Sequence, residues 1–403
     1  METFRIAAAA LNAHKLRSFL TLLGVTIGVM TVVTVVSIIS GLNNYISEKV
    51  FSLNPDVYVV TQFGIITSRE QFLEAVKRKK LDLADYMAIK TRCATCSIVG
   101  GSQSTRSMVK RASQRLDGVQ VIGGTANMAE INNLDIEAGR FYTRTEDEHS
   151  GNVAVIGSDV REELFGKLDP IGRTIWVANQ PVRVIGLLTK QGSVLGQSQD
   201  KQLYIPLSTW RKRFGSRRSV DIFVRAAGGV SGMSKSMDEV RVIIRSRRRT
   251  AFRGDDPFAM VTAEALQTLW KSISASAFAL MIFISGLSLI VGGIVIMNIM
   301  LVSVVERTRE IGIRRALGAT RKDIRRQFLT EAVLLALGGG IIGVAVGAII
   351  AAIVAKVSPM PTLVRPSLVF AGLAVAVVTG AIAGFLPARR AASLTPVEAL
   401  RFE

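Results

Sequence analysis

The sequence contains few of the residues that bind metals or cross-link small folds. Its 403 residues include two histidines and two cysteines, too few for a catalytic zinc cluster or a disulfide scaffold. It also lacks the Gly-x-x-x-x-Gly-Lys-Ser/Thr phosphate-binding loop, since its only Gly-Lys pair, Gly166-Lys167, is followed by Leu168. No serine is paired with a histidine in a nucleophile-elbow pattern. We therefore expect no catalytic residue, no metal site and no cofactor in this chain.

The two cysteines, Cys93 and Cys96, form a Cys-x-x-Cys pair. A redox-active pair would be expected to precede a helix in a thioredoxin-like unit, whereas this pair follows a predicted helix. A zinc site would need two further ligands that the sequence does not supply. We interpret the pair as a local structural disulfide or as two inert thiols, and the sequence leaves that choice open.

Hydrophobicity and positive charge are both high, a combination that is rare in soluble proteins of this size. Hydrophobic residues make up 49% of the chain, yet its formal net charge is +19. Each of four charge-free stretches exceeds the roughly 20 residues that a helix needs to cross the hydrocarbon core, so four transmembrane helices are predicted. The stretches are bounded by Arg17 and Glu48, Lys271 and Glu306, Glu331 and Lys356, and Arg365 and Arg389.

The second stretch, residues 272–305, is longer than a bilayer requires. As a helix it would span roughly 51 Å, against about 30 Å of hydrocarbon. Its small, weakly polar start at residues 272–277 is therefore predicted to project from the membrane as a stalk. No span contains an ionisable side chain, which disfavours a secondary transporter or a channel lined by charged rings.

The orientation follows from the distribution of basic residues between the spans. The loop between the third and fourth spans has only Lys356 and Arg365, whereas the loop between the second and third has Arg307, Arg309, Arg314, Arg315, Arg321, Lys322, Arg325 and Arg326. By the positive-inside rule, this Arg-rich loop and both termini are cytoplasmic, in a multi-pass protein of the inner membrane. The predicted domains are residues 1–44 (an amphipathic helix over the first 16 residues, then span one), 45–270 (outside) and 271–403 (stalk and spans two to four).

This orientation divides the net charge into +12 outside the cytoplasm and +7 inside it. The basic runs at residues 77–80, 211–213 and 245–249 lie outside, so no nucleic-acid partner is expected. We interpret these runs as solvated faces of the outside domain. The alternative is contact with anionic lipid head groups or with an acidic partner.

Short apolar runs separated by turn residues predict that the outside segment is an α+β domain. Helices are predicted over residues 82–91 and 231–249; in the second, Met233 and Met237 share a face that we interpret as core packing. Strands are predicted at residues 57–60, 119–122, 153–156, 174–177, 182–185, 203–205 and 221–224.

Glycines at four-residue spacing mark the faces through which the spans are predicted to pack. A missing side chain lets two helix backbones approach closely, which is a common way for membrane helices to associate. These glycines are Gly24 and Gly28 in span one, Gly339, Gly343 and Gly347 in span three, and Gly380 and Gly384 in span four.

The most informative segment is residues 306–331, ERTREIGIRRALGATRKDIRRQFLTE. Glu310 is spaced to pair with Arg314, and Gly318 is predicted to end a first helix before Thr320 and Asp323 start the next. Apolar contacts are expected from Ile311, Ile313, Leu317 and Ile324. A short, charged helix with a few apolar side chains at the membrane suits docking into a groove on a cytoplasmic partner. The simpler alternative is a loop that is basic only to set the topology.

Residues 302–319, VSVVERTREIGIRRALGA, closely resemble the signature of MacB/FtsX-type ABC transporter permeases. The resemblance extends over nearly the whole chain in the same order, through residues 13–24, 192–200, 204–207, 387–392 and 396–400. It implies four spans and a large outside domain, in which a split porter-like part carries an inserted second part. It also implies that two permeases, identical or paralogous, work together.

The resemblance further implies that an ATPase binds a coupling helix at about residues 306–320. The residues expected to bind it are Glu306, Arg309, Glu310, Ile313, Arg314, Arg315, Leu317 and Gly318. Because this chain lacks the fused ATPase domain of the macrolide exporter, a dimeric ATPase on a separate polypeptide is expected, and that partner would hold ATP and Mg. ATP-driven movement would then reach the outside domain through the long second span, a process called mechanotransmission.

The function expected from these features is the permease subunit, not an enzyme, of an export system for peptides, antibiotics or other amphiphiles already outside the inner membrane. A periplasmic adaptor protein is a candidate further partner. The alternatives are a permease that handles lipoproteins or lipids, and an FtsX-like transmitter that controls a cell-wall hydrolase. The sequence does not distinguish the substrate.

Overall fold

The computed structural model describes residues 15–45, 54–194, 197–357, 362 and 365–400. The chain forms two compact units. The membrane unit comprises Met1–Tyr45 and Lys271–Glu403, and the outside unit comprises Ile46–Trp270. Most of the amphipathic helix predicted at the N-terminus, over residues 1–14, lies outside the described part of the chain.

Helices and strands are labelled in chain order. The helices are α1 (Lys15–Tyr45), α2 (Arg69–Lys77), α3 (Leu83–Arg92), α4 (Met128–Ile131), α5 (Arg144–Glu148), α6 (Ser158–Phe165), α7 (Leu207–Phe214), α8 (Gly229–Arg247), α9 (Ala263–Glu306), α10 (Thr308–Ala316), α11 (Arg321–Val357), α12 (Pro366–Ser393) and α13 (Pro396–Leu400). The strands are β1 (Val57–Thr61), β2 (Cys96–Arg111), β3 (Gln114–Gly124), β4 (Ile136–Gly139), β5 (Val153–Ile156), β6 (Thr174–Val177), β7 (Gln180–Leu188), β8 (Ser193–Val194), β9 (Gln197–Ser198), β10 (Gln202–Pro206), β11 (Asp221–Ala226) and β12 (Ala259–Thr262).

Within the described residues, four helices are long and apolar enough to cross a membrane, which confirms the four predicted spans. They are α1, α9, α11 and α12. The second, α9, has 44 residues and begins at Ala263, before the charge-free stretch that starts at residue 272. Its first turn is capped by Thr262, whose hydroxyl accepts a hydrogen bond from the Ala265 amide at 3.0 Å. The helix therefore starts directly after β12 and includes Glu264 and Lys271.

The outside unit is built on a ten-stranded sheet with the order β12-β1-β11-β2-β3-β10-β5-β7-β4, in which β6 pairs with both β2 and β7. All seven predicted strands are present, and both predicted helices correspond to α3 and α8. The sequence analysis missed the longest strand, β2. Its sequence, CSIVGGSQSTRSMVKR, is rich in serine and glycine and lacks an apolar run.

Because β6 links β2 to β7, the strands β2, β3, β10, β5, β7 and β6 pair in a closed cycle. The interior of this barrel holds a cluster of buried aliphatic side chains with Trp210. The Trp210 indole N–H donates to the Val121 carbonyl at 3.1 Å. Closure pairs each of these six strands on both sides, whereas β4, which pairs with β7, stays an edge strand of the sheet.

The other part of the outside unit comes from both ends of its sequence, as expected for a split porter-like part. Strand β1 and helix α3, which precede the inserted part, join β11, α8 and β12, which follow it, around a second core that includes Tyr58. Asp85 of α3 is fully buried and accepts hydrogen bonds from Arg247 and, at 2.6 Å, from Arg248 at the end of α8. This buried ion cluster ties α3 to α8.

Cys93 and Cys96, directly after α3, are joined by a disulfide. The structure thus selects the first of the two interpretations left open by the sequence. The loop between the cysteines is held by the Glu239 carboxylate of α8, which accepts from the Ala94 amide at 2.8 Å and the Thr95 amide at 2.9 Å. A hydrogen bond from the Thr95 hydroxyl, followed by these amides, lowers the pKa of Glu239.

In the membrane unit, the glycines singled out in the sequence lie at contacts between helices. A Cβ atom at Gly24 would lie 2.8 Å from Gly292 Cα of α9, and one at Gly28 equally close to Leu289. Those at Gly343 and Gly347 would approach the Thr26 and Met30 carbonyls of α1, whereas Gly339 is buried and its carbonyl accepts from the Thr26 hydroxyl. Gly380 and Gly384 of α12 face the small residues Ala336 and Ala332 of α11.

Candidate coupling surface

The candidate site is the short helix α10, which lies between α9 and α11. Helix α9 ends at Glu306 because Arg307 leaves helical geometry, with φ −103° and ψ 18°. The Thr308 hydroxyl donates to the carbonyls of Val304 and Val305, so the first turn of α10 is bound to the last turn of α9. Regular helical geometry is therefore interrupted at Arg307, and α10 is a separate helix from the span.

The far end of α10 is set by two features that the sequence indicated. Gly318 has φ +100°, a left-handed conformation that glycine adopts without the strain of a side chain. Thr320 and Asp323 then cap α11: the Thr320 hydroxyl donates to the Asp323 carboxylate at 2.6 Å, and the Asp323 amide donates back to the hydroxyl at 3.3 Å. Thus α10 is a separate element of nine residues.

One face of α10 is fixed to the membrane unit. Ile311 is buried and packs in the same core as Ile324 and Phe328 of α11. Arg314 donates to Gln327 at 2.7 Å and pairs with Glu310 at 2.5 Å, the pairing predicted from their spacing. At the base of the helix, Arg307 lies 3.3 Å from Glu331 of α11. Of the four apolar side chains expected to make contacts, Ile311 and Ile324 thus point inward.

The opposite face carries the other two apolar side chains, Ile313 and Leu317. Leu317 is 83% exposed and Ile313 is 46% exposed. Arg309, Glu310 and Gly318 are also exposed, as is Glu306 at the end of α9, whereas Arg314 and Arg315 are half-buried. The first turns of α11, which follow in sequence, expose Arg321, Lys322, Arg325 and Arg326 as well as Asp323. The segment thus combines an exposed apolar pair with a basic excess among its exposed charges, which suits an acidic partner.

The sequence analysis missed a second helix that belongs to this site, α13. Ala399 of α13 is fully buried against Gly312 of α10. Thr395 and Glu398 form reciprocal hydrogen bonds at 2.6 and 3.3 Å, and Pro396 occupies the first helical position. The pattern Thr-Pro-x-Glu is a helix-start signal that could have identified α13 from the sequence.

In the part of the chain that the structure describes, no three His, Cys, Asp or Glu side chains come together in a way that could hold a metal ion. This finding concerns metal ions alone, so the expected absence of a cofactor from this chain stays a prediction. The chemistry that the site offers is that of a protein interface.

Two family models match this chain. A family model described as "MacB-like periplasmic core domain" matches residues 18–240, and one described as "FtsX-like permease C-terminal" matches residues 282–396. The periplasmic region of MacB from Actinobacillus actinomycetemcomitans is similar with a TM-score of 0.46 and 17% identity, over 56% of this chain and 96% of that one.

Two curated relatives match over the whole chain. An uncharacterized ABC transporter permease, YknZ of Bacillus subtilis (strain 168), is 32% identical over 100% of this chain and 99% of its own length. The macrolide export ATP-binding/permease protein MacB of Bdellovibrio bacteriovorus is 34% identical over 98% of this chain, which spans 60% of that protein. With four spans and a periplasmic-type α+β domain, the chain belongs to the MacB/FtsX-type family of ABC transporter permeases.

Proposed function

We propose that this chain is the permease subunit of an ATP-driven export system and that a separate ATPase docks on α10 from the cytoplasm. The observation that carries the proposal is the exposure of Leu317 and Ile313 on a short helix whose opposite face, at Ile311, is buried. Leu317, directly after the last residue of α10, and Ile313, one helical turn before it, form an exposed apolar pair. Exposed apolar patches with polar surroundings mark protein-binding sites, which supports the proposal.

The comparison with MacB supports an ATPase as the occupant. That relative is named an ATP-binding/permease protein, and this chain spans 60% of it. In our proposal, the ATP-binding function belongs to a partner polypeptide, which also holds ATP and Mg. The basic residues between spans two and three support, by the positive-inside rule, a cytoplasmic position for α10 and for both termini. The protein itself would lie in the inner membrane.

For the export mechanism we propose mechanotransmission in a pair of permeases, either two copies or two paralogues. Closure of the ATPases would displace α10 and, through it, the 44 residues of α9. The absence of ionisable residues from the charge-free stretches supports a mechanism without an ion-coupled path. Substrates would be peptides, antibiotics or other amphiphiles taken up outside the membrane, with a periplasmic adaptor as a further partner.

The test is to replace Leu317 by Asp and purify the permease from native membranes. Burying an unpaired carboxylate at an interface is costly, so we expect at least a roughly tenfold loss of co-purifying ATPase and of permease-stimulated ATP hydrolysis. The matched control is Val230→Asp, the same kind of change at a 62% exposed position of α8 in the outside unit. ATPase binding that survives Leu317→Asp undiminished would contradict the docking assignment.

The same purification separates the alternative functions through the other proteins recovered. An adaptor protein together with the ATPase supports export. A cell-wall hydrolase in its place supports the transmitter function, and a lipoprotein carrier supports lipoprotein handling.

A further inference from the structure

Helix α10 is held from two sides, and the two supports differ in kind. Toward α11, the contacts include the long polar side chains of Arg314 and Gln327, which adjust easily. Toward α13, Gly312 faces Ala399 without any intervening side chain. A Cβ atom at Gly312 would lie 2.6 Å from the Ala399 Cβ, closer than two carbon atoms pack. The contact between α10 and α13 therefore has no space for an added methyl group.

Helix α13 is itself firmly attached to the end of α12, the fourth span. Ala388, Ala391 and Ala392 in the last turns of α12 are buried in the core of the membrane unit, and Leu394 packs against that core. The next residue, Thr395, caps α13 through Glu398. A five-residue helix has little stability of its own, so its position is determined by these anchors and by Ala399.

We infer that α13 is a positioning element for the coupling helix: the contact between Gly312 and Ala399 sets the tilt of α10 and links its movement to α12. The inference rests on the proposed docking of an ATPase at α10. It does not require any residue of α13 to touch that ATPase. Force applied at Leu317 would then reach span four through α13, in addition to spans two and three, which are joined to α10 in sequence.

A pair of reciprocal substitutions tests this contact. Gly312→Ala places a methyl group against that of Ala399, and we expect roughly tenfold weaker stimulation of ATP hydrolysis because overpacking tilts α10. In the double variant Gly312→Ala with Ala399→Gly, the nearest atoms to the new methyl group are the carbonyl carbon and Cα of residue 399, at 3.5 and 3.6 Å. These are ordinary contacts, so the double variant should return to within about twofold of the wild type.

Ala399→Gly alone removes the methyl group that contacts Gly312 and creates no clash. It therefore tests the inference even if Gly312→Ala fails to assemble. It should retain ATPase co-purification but stimulate hydrolysis roughly fivefold less, since α10 is no longer held from this side. The matched control is Gly286→Ala in α9, where an added Cβ meets no atom within 4 Å. This control should behave as the wild type in yield, ATPase binding and hydrolysis.

The outcomes separate this inference from the proposed function. If both single variants stimulate ATP hydrolysis less and the double variant recovers this stimulation, α13 is supported as the positioning element. Normal hydrolysis in the single variants, or no recovery in the double variant, overturns the inference while Leu317→Asp still abolishes ATPase binding. If Leu317→Asp itself has no effect, the proposed docking fails and the inference fails with it.

Discussion

The two units of this protein bury opposite kinds of residues. The core of the outside unit contains large side chains, with Trp210 and Tyr58 fully buried. The membrane unit has many buried alanines and glycines in its core and turns large residues outward: Phe283, Phe370 and Ile382 are each 72% exposed. Both patterns follow from the surrounding solvent, because water expels large apolar groups whereas lipid accepts them.

The comparison shows that the two units are stabilised differently. In the outside unit, burial of apolar area and satisfied ion pairs hold the fold together. In the membrane unit, the hydrophobic effect does not drive one helix against another, so close backbone packing at small residues takes its place. The same substitution should therefore have different consequences in the two units.

The largest expected difference concerns aromatic truncation. Trp210→Ala should lower the free energy of unfolding of the outside unit by about 4 kcal/mol, because it leaves a large cavity in the barrel core. Phe283→Ala, at a surface that faces lipid, should change the stability of the membrane unit by less than about 1 kcal/mol. Urea titration of the full chain in detergent, followed by near-UV circular dichroism, measures the loss caused by Trp210→Ala. The control is Trp176→Ala, which removes a tryptophan that is 46% exposed. Equal costs for Trp210→Ala and Trp176→Ala would contradict the predicted core.

The next largest effect concerns the ion cluster that the outside unit buries. Asp85→Asn should cost about 3 kcal/mol, because it leaves Arg248, whose side chain is 4% exposed, without its carboxylate. The control Asp117→Asn removes an exposed partner of Arg115 and should have little effect on the urea midpoint. A similar shift of the midpoint in both variants would show that the cluster does not stabilise the fold.

The cluster also predicts a dependence on pH. Burial alone would raise the pKa of Asp85, but hydrogen bonds from Arg248 and the Asp82 amide, with the charge of Arg247, outweigh it and leave the pKa below its usual value. A carboxylate with a lowered pKa contributes stability above its unfolded pKa of about 3.9, and this contribution is lost as the pH falls through the folded value. In urea titrations between pH 6 and pH 3, the wild type should therefore lose more stability than Asp85→Asn does.

The smallest of these effects tests packing in the membrane unit. A Cβ at Gly380 would lie 2.6 Å from the Ala336 Cβ, so Gly380→Leu should cost about 2 kcal/mol as α12 separates from α11. Gly286→Leu adds the same side chain where an added Cβ meets no neighbouring side chain or helix within 4 Å, and it should be tolerated. The measurement is the temperature at which each variant loses its monodisperse peak in detergent. Equal temperatures would mean that the α11–α12 contact does not limit the stability of the membrane unit.

The sequence predicted those parts of the fold that have a strong local signal. The charge-free stretches predicted the four spans, and short valine- and isoleucine-rich runs predicted seven strands. Strand β2 escaped notice because its pairing partners stabilise it, whereas its own composition favours loops. The closed barrel was equally hidden, since it depends on the pairing of β6 with β2, far apart in the sequence.

The candidate site was predicted as a segment but not in its orientation. Helical spacing placed Ile311, Ile313 and Leu317 on α10, yet it did not determine which would be buried, because that depends on the position of α11 and α13. The contact between Gly312 and Ala399 joins residues distant in the chain, and nothing in either local sequence indicates it. The partner was likewise named only through resemblance to a family.

The long strand β2 has a consequence for how the outside unit moves. Residues 96–102 of β2 pair with β11 in the porter-like part, and residues 109–110 pair with β6 in the barrel. One strand thus contributes to both parts, with an irregularity in its pairing with β3 between Ser107 and Val109. Because both parts share the hydrogen-bonded strand β2, we expect labels on the two parts to keep nearly the same separation with and without ATP in the proposed complex.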